Sequence, residues 1–193
     1  MEDFILYREQ HLPRKYEEHA YVLDFNPRGK STTVKGRDGI IITAIGEDRL
    51  TLLEILGVPN STFEIGEKIY IGKEGRTKVL SVLGKLDYEH ISSSSQTELQ
   101  GVVENIVTKN ESKFVEYLNN AQPLTPRIHA LELIPGIGKT YMKIMLEERD
   151  KKKFESYDDL QERVGFKEPI RHNSDRIMDE ITGESRMNLF VKR

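Results

Sequence analysis

The chain has 193 residues, 32% charged and 37% hydrophobic, with a formal net charge of −3 at pH 7 and no cysteine. That length supports one large or two small domains, and two are expected. Without cysteine, disulfides, thiolate zinc sites and cysteine-ligated iron–sulfur clusters are excluded; the five histidines make no helix-compatible metal pair, and no apolar run approaches the roughly 20 residues that span a bilayer, so no metal, no cofactor and no membrane segment are expected.

At the start, Met1-Glu2-Asp3 is acidic where a secretory leader would be basic, which predicts a cytoplasmic protein. Residues 1–91 then read as a small β domain. Apolar alternation marks strands at Ala20–Phe25, Gly39–Ile45, Arg49–Leu56, Lys68–Ile71 and Lys78–Leu83, punctuated by turn chemistry at Asn26-Pro27-Arg28-Gly29, Arg37-Asp38-Gly39 and Gly46-Glu47-Asp48. Five short strands at regular spacing predict a closed barrel, because closure removes exposed edges. The phrase Phe63-Glu64-Ile65-Gly66-Glu67-Lys68-Ile69-Tyr70-Ile71-Gly72 resembles the step into a strand in small oligonucleotide-binding (OB) barrels.

Two basic clusters lie in this domain. Arg28, Lys30, Lys35 and Arg37 fall in a stretch with no acid, suited to following a phosphate backbone. Tyr70, Lys73 and Arg76, flanked by Lys68 and Lys78, form the second. Tyr21, Phe25 and Tyr70 are the candidate stacking platforms.

Residues 92–97, with the serine run Ser92 to Ser95, read as a linker or helix lead-in, and Thr97 as a cap. The helical domain is placed at 98–193. Leu99, Val102, Val103, Ile106 and Val107 share one helical face; Phe114, Val115 and Leu118 share the next, which Asn119-Asn120-Ala121-Gln122-Pro123 ends. Thr125-Pro126 is expected to cap and open a helix that runs to Leu133.

The hairpin 133–139, Leu133-Ile134-Pro135-Gly136-Ile137-Gly138-Lys139, is the most informative stretch. Pro135 ends the preceding helix, Gly136 and Gly138 permit a tight turn, and Ile137 points inward to pin it. The next helix starts near Lys139, so its unpaired first amides and positive dipole end face outward, where Thr140 follows and Lys143 lies one turn on. With Leu131, Glu132, Ile144 and Arg149 these residues resemble the helix-hairpin-helix motif, which implies sequence-independent contact with the sugar-phosphate backbone. Candidate contacts are Pro135, Gly136, Ile137, Gly138, Lys139, Thr140 and Lys143. Phe154 to Val164, capped at Ser156, resembles the connector helix between paired units. Val164-Gly165-Phe166-Lys167-Glu168-Pro169, with one glycine where two are expected, reads as a degenerate second hairpin before a helix from Arg171 to Ile181. Leu189, Phe190 and Val191 are expected to add a strand or dock on the barrel.

Spacing rejects a nucleotide-hydrolysing loop and weakens a repair-enzyme reading. Gly138-Lys139-Thr140 and Gly29-Lys30-Ser31 end like phosphate loops, but the required upstream glycine is Leu133 in one and Asp24 in the other. The hairpin is similar to that of DNA-repair glycosylases, a resemblance that implies a catalytic lysine at position 140, where this chain has Thr140.

The fold class expected is α+β, a small N-terminal OB-like β-barrel followed by an all-α paired helix-hairpin-helix domain. The combination resembles an uncharacterised archaeal family of unknown function with a nucleic-acid-binding expectation attached, on Pro135 to Lys139, Phe154 to Val164 and the glycine-punctuated strands. The function expected is non-catalytic binding of DNA or structured RNA through the phosphate backbone, with a second contact from the barrel and a protein partner in translation or DNA maintenance. The rivals are a protein-binding adaptor that keeps the hairpin as scaffold and, behind it, a DNA-repair enzyme.

Overall fold

The computed structural model describes residues 16–192; Met1-Glu2-Asp3 lies outside them. The chain divides into two compact units, Met1–Leu86 with Lys192–Arg193, and Asp87–Val191.

In the first unit, strands β1 (His19–Lys30), β2 (Asp38–Gly46), β3 (Leu52–Gly57), β4 (Lys68–Tyr70) and β5 (Val79–Lys85) form one antiparallel sheet in the order β4-β1-β2-β3-β5. Period-two alternation turns Ala20, Val22, Ile40, Ile42, Ala44, Leu53 and Ile55 into a shared core that Phe63, Ile69, Ile71 and Val79 complete. Asn26 to Gly29 is not the predicted turn but a bulged continuation of β1. The register slips between Asn26 and Gly29, and Asn26 Oδ1 accepts the Arg28 amide at 3.0 Å. Pro27, with no amide to donate, sits within the slip.

The sheet curls into a half-barrel, and the expected closure is corrected: among the described residues no ladder joins β4 to β5. β4 is only three residues long, and a side chain takes the place of a ladder. Arg76 Nε donates to the carbonyls of Ile71 at 3.2 Å and Gly72 at 2.5 Å, and its Nη1 donates to Leu80 in β5 at 3.1 Å. Lys78 Nζ meets the Glu67 carboxylate beside the same gap.

Glu54, in the fully buried strand β3, is 3% exposed. Its carboxylate accepts the hydroxyls of Ser31 (2.5 Å), Thr32 (2.7 Å) and Thr33 (2.5 Å) and the amides of Thr32 (2.8 Å) and Thr33 (3.2 Å). Burial pushes its pKa up, but these hydrogen bonds outweigh it and hold the group down to about 2. This one side chain ties the loop between β1 and β2 to the buried sheet, while Ser31 Oγ accepts the Val34 amide at 2.8 Å within the loop itself.

The second unit holds α1 (Ser93–Lys109), α2 (Glu111–Asn120), the short pair β6 (Pro123–Thr125) and β7 (Ile128–His129), α3 (Lys139–Lys151), α4 (Tyr157–Val164) and α5 (Pro169–Thr182), with 3₁₀ turns at Tyr88–His90 and Ala130–Leu133. Leu99, Ile106, Phe114, Leu118, Leu131, Ile134, Leu160 and Ile177 are buried at its centre. The serine run is a helix start and not a linker: Ser92 Oγ accepts the Ser95 amide at 3.1 Å, while Thr97 donates back to the Ser93 carbonyl at 2.9 Å. No helix opens at Pro126. Thr125 Oγ1 instead accepts the Arg127 and Ile128 amides at 3.2 and 3.1 Å and closes the β6–β7 turn.

Leu189 to Val191 dock within the helical unit. Glu180, fully buried, accepts their amides at 2.7, 3.0 and 2.8 Å and pairs with Arg176 at 3.0 Å, and the Phe190 ring packs on Phe114 and Tyr117. Lys192 belongs to the sheet unit, its amide donating to the Arg49 carbonyl at 2.9 Å.

Glu54→Gln replaces a charged acceptor with a group that points an N–H at other donors, and should cost about 2 kcal/mol at neutral pH. Because the folded pKa lies below the ordinary 4.5, the carboxylate's contribution is complete above that value and is lost as pH falls toward 2. Thermal melts should therefore show the gap between wild type and variant narrowing from about pH 5.5 to about pH 3. A gap of constant width would mean that the charge does not anchor the loop.

Candidate nucleic-acid interface

Leu131 and Ile134, 0% and 1% exposed, bury the entry to the Pro135 turn, and Ile137 at 3% fixes it from within. The entry is one 3₁₀ turn, Ala130–Leu133, and not the helix expected. His129 and Glu132 make a capping box there: His129 Nδ1 accepts the Leu131 amide at 3.1 Å, and Glu132 accepts the His129 amide at 3.0 Å. Burial, and then the charge of Arg149, hold the His129 pKa below its ordinary 6.5 against the pull of Glu132. The imidazole therefore keeps the bare nitrogen that the cap needs.

Gly136 takes φ +80°, the left-handed region. Gly138 is extended and caps α3 with no side-chain hydrogen bond. The Met142 amide reaches the Gly138 carbonyl at 2.9 Å, so the amides of Lys139, Thr140 and Tyr141 precede the first bond of the helical ladder. Gly136, Gly138, Lys139, Thr140 and Lys143 are exposed, and Pro135 is half-buried. Lys139 and Lys143, four residues apart, lie on one face. The turn thus brings three outward amides, the positive end of a helix and two lysines together.

A second turn leans on the first. α4 ends at Gly165 in the left-handed region, φ 75°, and α5 follows Glu168, also left-handed at φ 51°. Tyr141 from α3 donates to the Gly165 carbonyl at 3.4 Å. Its ring meets Phe166 at 5.5 Å, Phe166 meets His172 at 5.0 Å, and His172 lies against Gly136 so closely that a Cβ there would sit 2.7 Å from the imidazole. α5 starts at Pro169, two residues before its predicted start. Nothing local to Phe166 or His172 in the sequence announces their contact with a turn some thirty residues earlier.

In the sheet unit, Arg28, Lys30, Lys35 and Arg37 are all exposed on the β1–β2 hairpin, whose loop Glu54 anchors. The second predicted cluster divides. Tyr70 is 38% exposed, Lys73 is exposed with Nζ 5.2 Å from the Tyr16 ring centroid, and Arg76 is committed to carbonyls across the seam. Tyr21 is no stacking platform: it is fully buried, with its hydroxyl on Glu47 at 3.0 Å. Phe25 packs on Phe63 against the core. Among the described residues, no group of three or more His, Asp or Glu side chains is arranged to hold a metal ion, and no helix is long and apolar enough to cross a membrane.

An OB-like half-barrel sheet together with a helical unit that presents a glycine turn resembles OB-type and helical nucleic-acid-binding architectures. Residues 16–192 match the family described as protein of unknown function DUF655, and the chain belongs to that family. It is 40% identical over 182 residues to the uncharacterized protein MJ0038 of Methanocaldococcus jannaschii, covering 93% of this chain and 82% of that one. It is similar to the crystal structure of Af1531 from Archaeoglobus fulgidus, with 36% identity, a TM-score of 0.79, and coverage of 91% of this chain and all of the other.

The two turn glycines should respond differently to substitution. Gly136→Ser forces a side chain into the left-handed region and against His172, and should cost roughly 2 kcal/mol in denaturant unfolding. Gly138→Ser, where a Cβ meets nothing within 4 Å, adds a capping hydroxyl and should leave stability level or raise it slightly. Equal losses would contradict the geometry. His129 supplies a second check: its depressed pKa means that its cap is fully present above pH 6.5 and is lost as pH falls through the lower folded value. Stability should drop on acidification to about pH 5 in wild type and drop less in His129→Asn, which caps without titrating; parallel pH profiles would refute that role.

Proposed function

We propose that the Pro135–Lys139 turn and the Gly165–Glu168 turn form a paired helix-hairpin-helix, and that the first of them grips the sugar-phosphate backbone of a nucleic acid without reading its sequence. The amides at the start of α3 donate to the oxygens of one or two consecutive phosphates, and Lys139 and Lys143 add charge beside them. The observation that carries this reading is that α3 opens at an exposed glycine, with no side chain on its first amides and two lysines on the same face. The β1–β2 hairpin, with Arg28, Lys30, Lys35 and Arg37, supplies a second contact, so that two modest sites act at raised effective concentration. The protein is read as a cytoplasmic, non-catalytic binder of DNA or structured RNA, working with a protein partner in translation or DNA maintenance.

Gly138→Asp separates folding from binding. A carboxylate at the cap satisfies the α3 amides and suits the helix dipole, so the variant should melt at or above the wild-type temperature. The same carboxylate occupies the phosphate's place and repels it. Fluorescence anisotropy with matched duplex DNA, single-stranded DNA, structured RNA and single-stranded RNA should show salt-sensitive binding by wild type. Gly138→Asp should bind the best of these probes at least about tenfold more weakly. Undiminished binding by the folded variant would remove the turn from the interface, and no binding by wild type to any probe would leave the turn a scaffold and the protein an adaptor.

A further inference from the structure

The gap between β4 and β5 is more than an incomplete ladder. A cleft of about 760 Å³ opens beside it, with Leu53, Ile71 and Val82 on its floor and Tyr16, Tyr70, Lys73 and Lys85 among its walls. We propose that this cleft takes a single nucleotide unit of an unpaired strand, with the base against Tyr70 and its phosphate between Lys73 and Lys85. The inference rests on the sheet unit being a nucleic-acid contact, and gives that contact a place and a ligand class.

Size and lining favour this occupant. The volume lies within the range of small-ligand pockets, which are mostly apolar with a few placed polar groups. Leu53 and Ile71 come from the sheet core, with Val82 packed against it, and supply the apolar surface that the face of a base prefers to water. Tyr70 is set in place before any ligand arrives. Its ring meets the His19 imidazole edge-on at 5.3 Å, and it lies across Gly72, where a Cβ would fall 2.2 Å from the Tyr70 hydroxyl. Glycine at position 72 is what lets the ring occupy that position. A fixed and partly exposed aromatic ring costs little side-chain entropy on stacking.

The charges fit an anion at the mouth. Lys73 and Lys85 are exposed and make no ion pair among the described residues, and the Arg76 guanidinium clasps the seam carbonyls. Of the three acids in the walls, Glu17 is turned to the amides of Asp48 and Arg49 at 2.8 and 2.9 Å. Glu18 and Glu74 are exposed, and Glu74 offers an acceptor for a base N–H. A duplex has no unstacked base to offer such a cleft, so the occupant is single-stranded.

The probe is a labelled tetrauridylate, followed by anisotropy beside a labelled duplex. Wild type and Tyr70→Phe should bind the tetranucleotide alike, because the ring is retained. Tyr70→Leu and Lys73→Glu should each weaken it by about tenfold or more, with melting temperatures close to wild type. Saturating tetranucleotide should leave the labelled duplex on the protein. Equal tetranucleotide binding by Tyr70→Leu and Lys73→Glu would overturn the proposal, as would a wild type that binds duplex but not tetrauridylate. Failure to bind either probe would sink the backbone-contact reading together with it.

Discussion

The helical unit depends on one missing side chain. At Gly136 the backbone is left-handed and the imidazole of His172 fills the space that a Cβ would need. That contact joins a turn at position 136 to the first turns of α5, and Phe166 and Tyr141 extend it as a row of rings back to α3. Two consequences follow from it. The chain reverses tightly enough for Ile134 and Ile137 to be buried together, and α3 begins at the surface with its axis ending on exposed residues. Any residue larger than glycine at 136 pushes on α5, and so disturbs both turns at once.

Elsewhere this chain answers backbone amides with carboxylates. Glu54 serves the loop at Thr32 and Thr33, Glu17 serves Asp48 and Arg49, Glu180 serves Leu189 to Val191, and Glu111 serves Tyr157. Helices α1 and α4 are capped by the hydroxyls of Ser92 and Ser156. The C-terminal end of α3 is equally well supplied, since Arg163 donates to the carbonyls of Glu148 and Lys152 while stacking on Phe154. Against that pattern, α3 and α5, the two helices that follow the glycine turns, begin without a side-chain cap. α2 also lacks one, but it follows α1 directly across Asn110. An acidic chain that caps so many of its loops leaves uncapped the one helix start that carries two lysines, which is where an outside anion would complete the set.

What could be read from sequence was the chemistry that acts over a few residues. Pro135, Gly136 and Gly138 specify a turn wherever they occur, and Ser156 marks the start of α4 as the structure has it. Local signals failed where one residue type serves two purposes. Thr125 caps a helix or closes a turn with the same hydroxyl, and only the pairing of β6 with β7 decides between them. Asn26-Pro27-Arg28-Gly29 carries full turn chemistry, yet continues β1 as a bulge because Ile41 of β2 packs where a Gly29 side chain would be. The open seam, the Glu54 anchor and the His172 contact were not legible at all. Each joins residues more than twenty positions apart, except the Arg76 clasp, whose meaning depends on β4 stopping after three residues.

The amides proposed to meet phosphate, at the start of α3, can be observed one by one. Amide chemical shifts of ¹⁵N-labelled protein, followed as a short duplex is added, should move first and furthest at Gly138, Lys139, Thr140 and Tyr141, with smaller changes at the Gly165 turn. Shifts confined to other residues at saturating duplex, with those four amides unmoved, would remove the start of α3 from the interface.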